Sequence, residues 1–148
     1  MKRKKLTVCL LGAAMVSSLF TAGCGQKTKD PVTVSVWTYY NGDQLEAFND
    51  LVDKFNDTTG KEKGITVESQ SLGTVDELEK SVLAAANGEV GAEDVPNIFS
   101  AYADTANTMN QKDMIVNLSD YLTDKEKDAY VEEYLREGDF SDDGSIRI

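Results

Sequence analysis

Residues 32–60, VTVSVWTYYNGDQLEAFNDLVDKFNDTTG, decide the fold. Val32 to Trp37 is β-branched and apolar, the composition of a strand, and Thr38-Tyr39-Tyr40-Asn41-Gly42 reads as a turn. Asp43 with Glu46 three positions on has the spacing of a capping box. Leu45, Phe48, Leu51, Val52 and Phe55 then recur at helical spacing until Gly60, which predicts an amphipathic helix of about 15 residues. A strand that hands directly to a helix through a short loop is half of a parallel crossover unit.

Downstream the pattern repeats. Ile65 to Ser71 alternates apolar and polar as a second strand, and Thr74 with Glu77 caps a second helix whose stripe is Val75, Leu78, Val82, Ala85 and Ala86, ended by Asn87-Gly88. Val95 to Tyr102 is a third apolar run, followed by a polar, helix-compatible stretch from Ala103 to Asp113. The order β-α-β-α-β-α implies right-handed crossovers and a parallel sheet with helices on both faces. Thr123 and Glu126 cap a further helix carrying Tyr130, Tyr134 and Leu135, with the two tyrosines one turn apart and expected to pack. Ser141-Asp142-Asp143-Gly144 reads as a turn and Ser145 to Ile148 as a strand just beginning.

Upstream, Met1 to Lys5 is basic, Leu6 to Phe20 is an apolar run of 15 residues, and Thr21-Ala22-Gly23 are small, the layout of a secretory signal peptide. The run falls short of the roughly 20 residues that span a bilayer. Thr21-Ala22-Gly23-Cys24 resembles a bacterial lipobox, with Thr21 standing where leucine is usual. That resemblance implies cleavage before Cys24 and a diacylglyceryl thioether on it. Cys9 lies within the apolar run, so Cys24 has no partner for a disulfide in the mature chain. A diacyl anchor holds firmly, and Gln26 to Pro31 would tether it to the fold. The expected divisions are 1–23 leader and 24–31 lipidated tether, with 32–148 as the folded part, which the resemblance described below makes a partial N-terminal lobe.

Of the 148 residues, 26 are Asp or Glu and 15 are Lys or Arg; from Cys24 onward the ratio is 26 to 11. Such a surface repels nucleic acid and anionic lipid headgroups. The absence of histidine removes Ser-His-Asp and Cys-His catalysis and the commonest zinc ligand.

Together with the lipobox, the segments 32–60, ITVESQSLG (65–73), VPNIFSAYAD (95–104) and MIVNLSDYLTD (114–124) resemble the N-terminal part of an extracellular solute-binding protein of the sugar-binding type. Pro96-Asn97 stands where that family usually has Pro-Asp. The resemblance implies an α/β, periplasmic-binding-protein-like lobe with a parallel β-α-β-α-β core, incomplete because the second lobe is absent. It also implies a lipid-anchored, monomeric binding component of an ABC importer, on the outer face of a membrane, that captures a carbohydrate for a permease and needs no cofactor.

In parallel α/β sheets ligands lie beyond the C-terminal ends of the strands. The first strand delivers Trp37, Tyr39, Tyr40 and Asn41 to that edge and the third delivers Ser100, Tyr102 and Asp104. Aromatic faces suit the C–H side of a pyranose, and amides and carboxylates suit hydroxyl pairs. Each has a plainer alternative: Trp37 as core, Tyr39 and Tyr40 pointing to opposite sides, Asn41 as turn or cap, and Asp104 as a cap. Rival functions are a secreted lipoprotein glycoside hydrolase using two carboxylates and a small surface adhesion module. Asp139 to Ile146 also has the start of a calcium-loop spacing, although a solvated turn accounts for the same residues. No catalytic or metal residue is assigned.

Overall fold

The computed structural model describes residues 30–140 and 144–147. The expected leader, Cys24, most of the tether and Ser141 to Asp143 lie outside the described residues. Strand β1 (Val32–Thr38) leads to helix α1 (Gly42–Phe55), a π-helical turn (Asn56–Gly60) and a short α2 (Lys61–Lys63). Strand β2 (Ile65–Ser71), helix α3 (Val75–Asn87), strand β3 (Ile98–Phe99) and helix α4 (Ala103–Asn110) follow. A 3-10 turn (Leu118–Asp120) and the short helices α5 (Asp124–Lys127) and α6 (Glu132–Glu137) complete the described elements. The strands pair in the order β2-β1-β3, all parallel, in register Val32 with Ile65 through Thr38 with Ser71, and Val36 with Ile98.

Alternation along β1 sorts the two faces. Trp37 and its neighbour Phe99 turn toward α3 and α4, where Trp37, Leu78, Val82 and Met109 form the buried core. Val36 and Thr38 share the opposite face with Ser69 and Ser71, and there the Ser69 hydroxyl donates to Asn49 Oδ1 on α1 at 2.9 Å. The expected two-faced arrangement is therefore present. The α1 face is thinly covered: α1 buries no residue, and Leu51 and Ile98 are 64% and 55% exposed.

Several boundaries differ from the sequence reading, each for a local reason. The first helix does not stop at Gly60 but runs on to Lys63 through the π turn, ending at Gly64 in the left-handed region with φ 71°. Gly60 is buried in that turn, and the close approach there suits only glycine, since a Cβ would lie 2.5 Å from the Ile65 carbonyl oxygen. The Asp43/Glu46 capping box is not the helix start. Asn41 takes the N-cap position, and its side chain makes no capping bond.

The third strand shrinks from the expected 95–102 to two residues. Pro96 has no N–H to extend the ladder, and the Asn97 side chain bonds in place of a strand: its Oδ1 accepts from the Ser35 N–H at 2.9 Å while its own N–H donates to Ser35 Oγ at 3.0 Å. The helix after it ends at Asn110, before the expected Asp113.

The helix expected after Thr123 is split into α5 and α6. Its capping box is complete, with the Thr123 hydroxyl accepting from Glu126 N–H and the Glu126 carboxylate accepting from Thr123 N–H at 2.8 Å. That backbone bond, and the hydroxyl bond beside it, hold the Glu126 carboxyl below the usual range. Beyond it Ala129 and Tyr130 bond three residues back and Val131 turns extended, which breaks the helix. Tyr130 and Tyr134 are 58% and 69% exposed; they border an apolar cleft with Leu118, Leu122, Leu135 and Ile146 rather than a closed core. Ser145 to Arg147 form no strand. Ile146 is buried with its N–H on Ser119 Oγ and its C=O accepting from Leu118 N–H, so its backbone is satisfied by the 3-10 turn.

Replacing Gly60 by alanine is expected to destabilise the fold by about 1–3 kcal/mol, since the backbone contact cannot rotate away. Urea denaturation of the two proteins measures the difference, and an unchanged midpoint would contradict the packing described here.

Candidate functional site

Because β1, β2 and β3 run parallel and each is followed by a helix, the loops 39–41, 72–74 and 100–102 and the N-termini of α1, α3 and α4 all lie at one edge of the sheet. The first turns of the three helices carry Asp43, Asp76, Glu77 and Asp104, which complement the helix dipoles, and the Glu77 and Thr105 N–H groups are taken up by Thr74 Oγ1 and Asp104 Oδ1.

The first two loops are bonded to each other. Asn41 Nδ2 donates to the Gly73 carbonyl at 3.1 Å, the Ser71 hydroxyl donates to the Tyr40 carbonyl, and the Gly73 N–H donates to Ser71 Oγ at 3.1 Å. Leu72 N–H continues the ladder to Thr38 C=O at 2.8 Å. On the other side Ser100 N–H donates to the Trp37 carbonyl at 3.0 Å, which ties the third loop to the same strand. Loop 72–74, with its Thr74 N-cap on α3, was missed as part of this edge by sequence reasoning. The signal was available: a second strand parallel to the first must end on the same side.

The seven residues expected to face a ligand are divided by the structure. Trp37 is 5% exposed and inserted among Leu78, Val82 and Met109, so it packs in the core. Tyr39 and Tyr40 do not point to opposite sides, although their further neighbours differ: Tyr39 packs against the Trp37 core, whereas Tyr40 meets Phe48 of α1 edge-on, ring centres 5.4 Å apart. Their own rings touch edge-on, centres 5.3 Å apart. Asn41 is exposed at the head of α1. Ser100 is half-buried, and Tyr102, 65% exposed, sits at the N-cap position of α4. Asp104 is exposed in the first turn of α4, its Oδ1 accepting from Thr105 N–H at 2.8 Å, so it acts at least as an end group for that helix. Six of the seven thus lie on the loops and helix starts of one edge, offering aromatic, amide, hydroxyl and carboxylate groups.

A second concavity, about 380 Å³, lies on the body of the sheet rather than at this edge, lined by Ser35, Trp37, Gln70, Glu68, Glu93 and Asp94. Gln70 Nε2 and Glu93 Oε1 are 3.4 Å apart across it. Among the described residues no group of three His, Cys, Asp or Glu side chains is placed to hold a metal ion, and no helix is long and apolar enough to cross a membrane. Of the calcium-like loop, Ser141 and Asp143 lie outside the described residues; Asp139 Oδ2 accepts from Gly144 N–H at 2.8 Å, as in a turn.

The division has a direct test in stability. Trp37→Ala is expected to cost about 3–5 kcal/mol as a core truncation, and Tyr102→Ala less than about 0.5 kcal/mol as an exposed change. Chemical denaturation of both variants checks this; comparable losses would mean that Tyr102 belongs to the core.

No protein-family model and no curated protein matches the sequence. Solved structures do. CpMnBP1 with mannotriose bound matches with a TM-score of 0.59 at 19% identity, over 78% of this chain and 27% of that one. A structure from work on xylan utilization by Caldanaerobius polysaccharolyticus matches with a TM-score of 0.61 at 16% identity, over 78% and 28%. The Thermus thermophilus maltotriose binding protein with maltotriose bound matches with a TM-score of 0.58 at 17% identity, over 77% and 28%. The chain therefore spans little more than a quarter of the length of these proteins, and over that span it has their α/β fold.

Proposed function

We propose that this chain forms the first-lobe portion of a solute-binding protein that captures a carbohydrate, most simply an oligosaccharide, and delivers it to an ABC permease without catalysing a reaction. The observation that carries the reading is the single sheet edge on which Tyr40, Asn41, Tyr102 and Asp104 gather beside three helix N-termini. Two of the structures sharing this fold hold trisaccharides. A sugar presents alternating apolar C–H faces and hydroxyl edges, and that edge offers the matching exposed aromatic ring and polar groups. A second lobe closing over the edge would exclude water from those contacts and supply the remaining affinity.

Titration calorimetry of the complete gene product against mannotriose, maltotriose and xylotriose is expected to show saturable binding of at least one, with no product by chromatography. Tyr102→Ala should weaken that binding roughly tenfold, the scale of one lost aromatic contact. Hydrolysis of the sugar would instead favour a glycosidase, and no binding to any saccharide would overturn the reading.

Location follows from the N-terminus. Residues 1–23 are proposed as a leader and 24–31 as a tether, with Cys24 diacylated on the outer face of the membrane. Cys24→Ser is expected to abolish labelling by radioactive palmitate and to move the protein from the membrane to the soluble fraction. Retention of label in that variant would place the lipid elsewhere.

A further inference from the structure

The sequence contains two Asn-Gly pairs, Asn41-Gly42 and Asn87-Gly88, and the fold places them at opposite ends of helices with different hydrogen bonding. We propose that Asn41 is a site of spontaneous deamidation and isoaspartate formation, while Asn87 is protected. The Gly42 backbone nitrogen forms a bond to Asn41 Cγ, the Cγ–Nδ2 bond breaks, and the amide nitrogen departs as ammonia carrying the proton lost from Gly42. Water then opens the five-membered imide at either carbonyl, leaving aspartate or its β-linked isomer, with no change of oxidation state.

Three features favour closure at Asn41. It is exposed and extended, with φ −144° and ψ 168°, outside the helical well that would hold its side-chain carbon away from the next nitrogen. The Gly42 N–H is the first of the helix, where no carbonyl four residues back is available to accept it within the helix. The helix start is weakly closed: its first backbone bond, Leu45 N–H to Asn41 C=O, is 3.4 Å long. The opposing term is the single exposed bond from Asn41 Nδ2 to Gly73 C=O, which is of ordinary length at 3.1 Å.

Asn87 is exposed as well, and Gly88 likewise takes a left-handed φ of 64°, but its backbone and side chain are tied down. It is the last residue of α3, the Gly88 N–H is bonded to Ala85 C=O at 3.0 Å, and the following Glu89 N–H returns to Ala84 C=O at 3.1 Å, closing the helix end. Its side-chain Oδ1 is held by Lys112 Nζ at 2.9 Å. Attack there requires the helix terminus to open first. Conversion at Asn41, by contrast, removes the amide donor that joins the first two loops, and the isoaspartyl product lengthens the backbone by one methylene at the head of α1.

The chemistry needs no ligand, so its test is independent of the sugar reading. The intact chain is incubated at mildly alkaline pH, and tandem mass spectrometry follows the gain of one mass unit at Asn41 and Asn87, with isoaspartyl methyltransferase labelling to identify the β-linked product. In native buffer Asn41 is expected to convert roughly tenfold or more faster than Asn87, the ratio that a modest local opening cost at Asn87 produces; in concentrated urea the two rates converge. Equal rates in native buffer, faster conversion of Asn87, or an Asn41 that converts only in urea would each overturn the proposal.

Discussion

The described structure depends on β1 being hydrogen-bonded on both sides while its last three residues, Val36, Trp37 and Thr38, are buried. A strand in that position has no free edge and must satisfy two faces at once. Trp37 supplies the larger payload, filling the space between α3 and α4, and the parallel partners fix its height against Gln70 and Phe99. Once that register is set, the loops after all three strands emerge together. The gathering of tyrosines, amide and carboxylate at one edge is then a consequence of strand direction, and no long-range contact among those side chains is needed to assemble it.

Much of this was legible in the sequence because it is local. The bounds of β2 follow from the alternation of Ile65 to Ser71, and the start and stop of α3 follow from Thr74, which accepts from Glu77 N–H, and Gly88, which takes a left-handed φ of 64°. What escaped depends on tertiary geometry. Nothing in the apolar run Val95 to Tyr102 says that Asn97 spends its side chain on Ser35, which with Pro96 delays the start of the ladder to Ile98. Gly60 reads as a stop, but it is a close approach between a helix and the strand that follows. The acidic spacing at Asp43 and Glu46 suggested a cap whose position Asn41 already occupies.

The candidate edge shows the same division. Strand order placed Tyr40, Asn41, Tyr102 and Asp104 correctly, because parallel pairing follows from the β-α-β pattern. The residue composition could not separate Trp37 from the others. An indole at a strand end suits a sugar face or a core equally, and the choice is made by Leu78, Val82 and Met109, which lie 41 or more positions away along the chain.

One polar side chain has a wider effect than its size suggests. On the outer side of β2, Asn56 donates through Nδ2 to Val67 C=O at 2.9 Å and accepts the Val67 N–H on Oδ1 at 2.8 Å. Both hydrogen-bonding groups that an edge residue would offer to another strand are consumed by one amide. A foreign β-segment sliding along this border meets a gap in the template at its centre, as well as the π turn that carries the amide. Unsatisfied sheet borders are where extended chains recruit one another into insoluble stacks. Asn56 therefore acts as a plug against self-templating, and it does so with a contact made entirely between neighbouring elements, available as soon as α1 and β2 have formed.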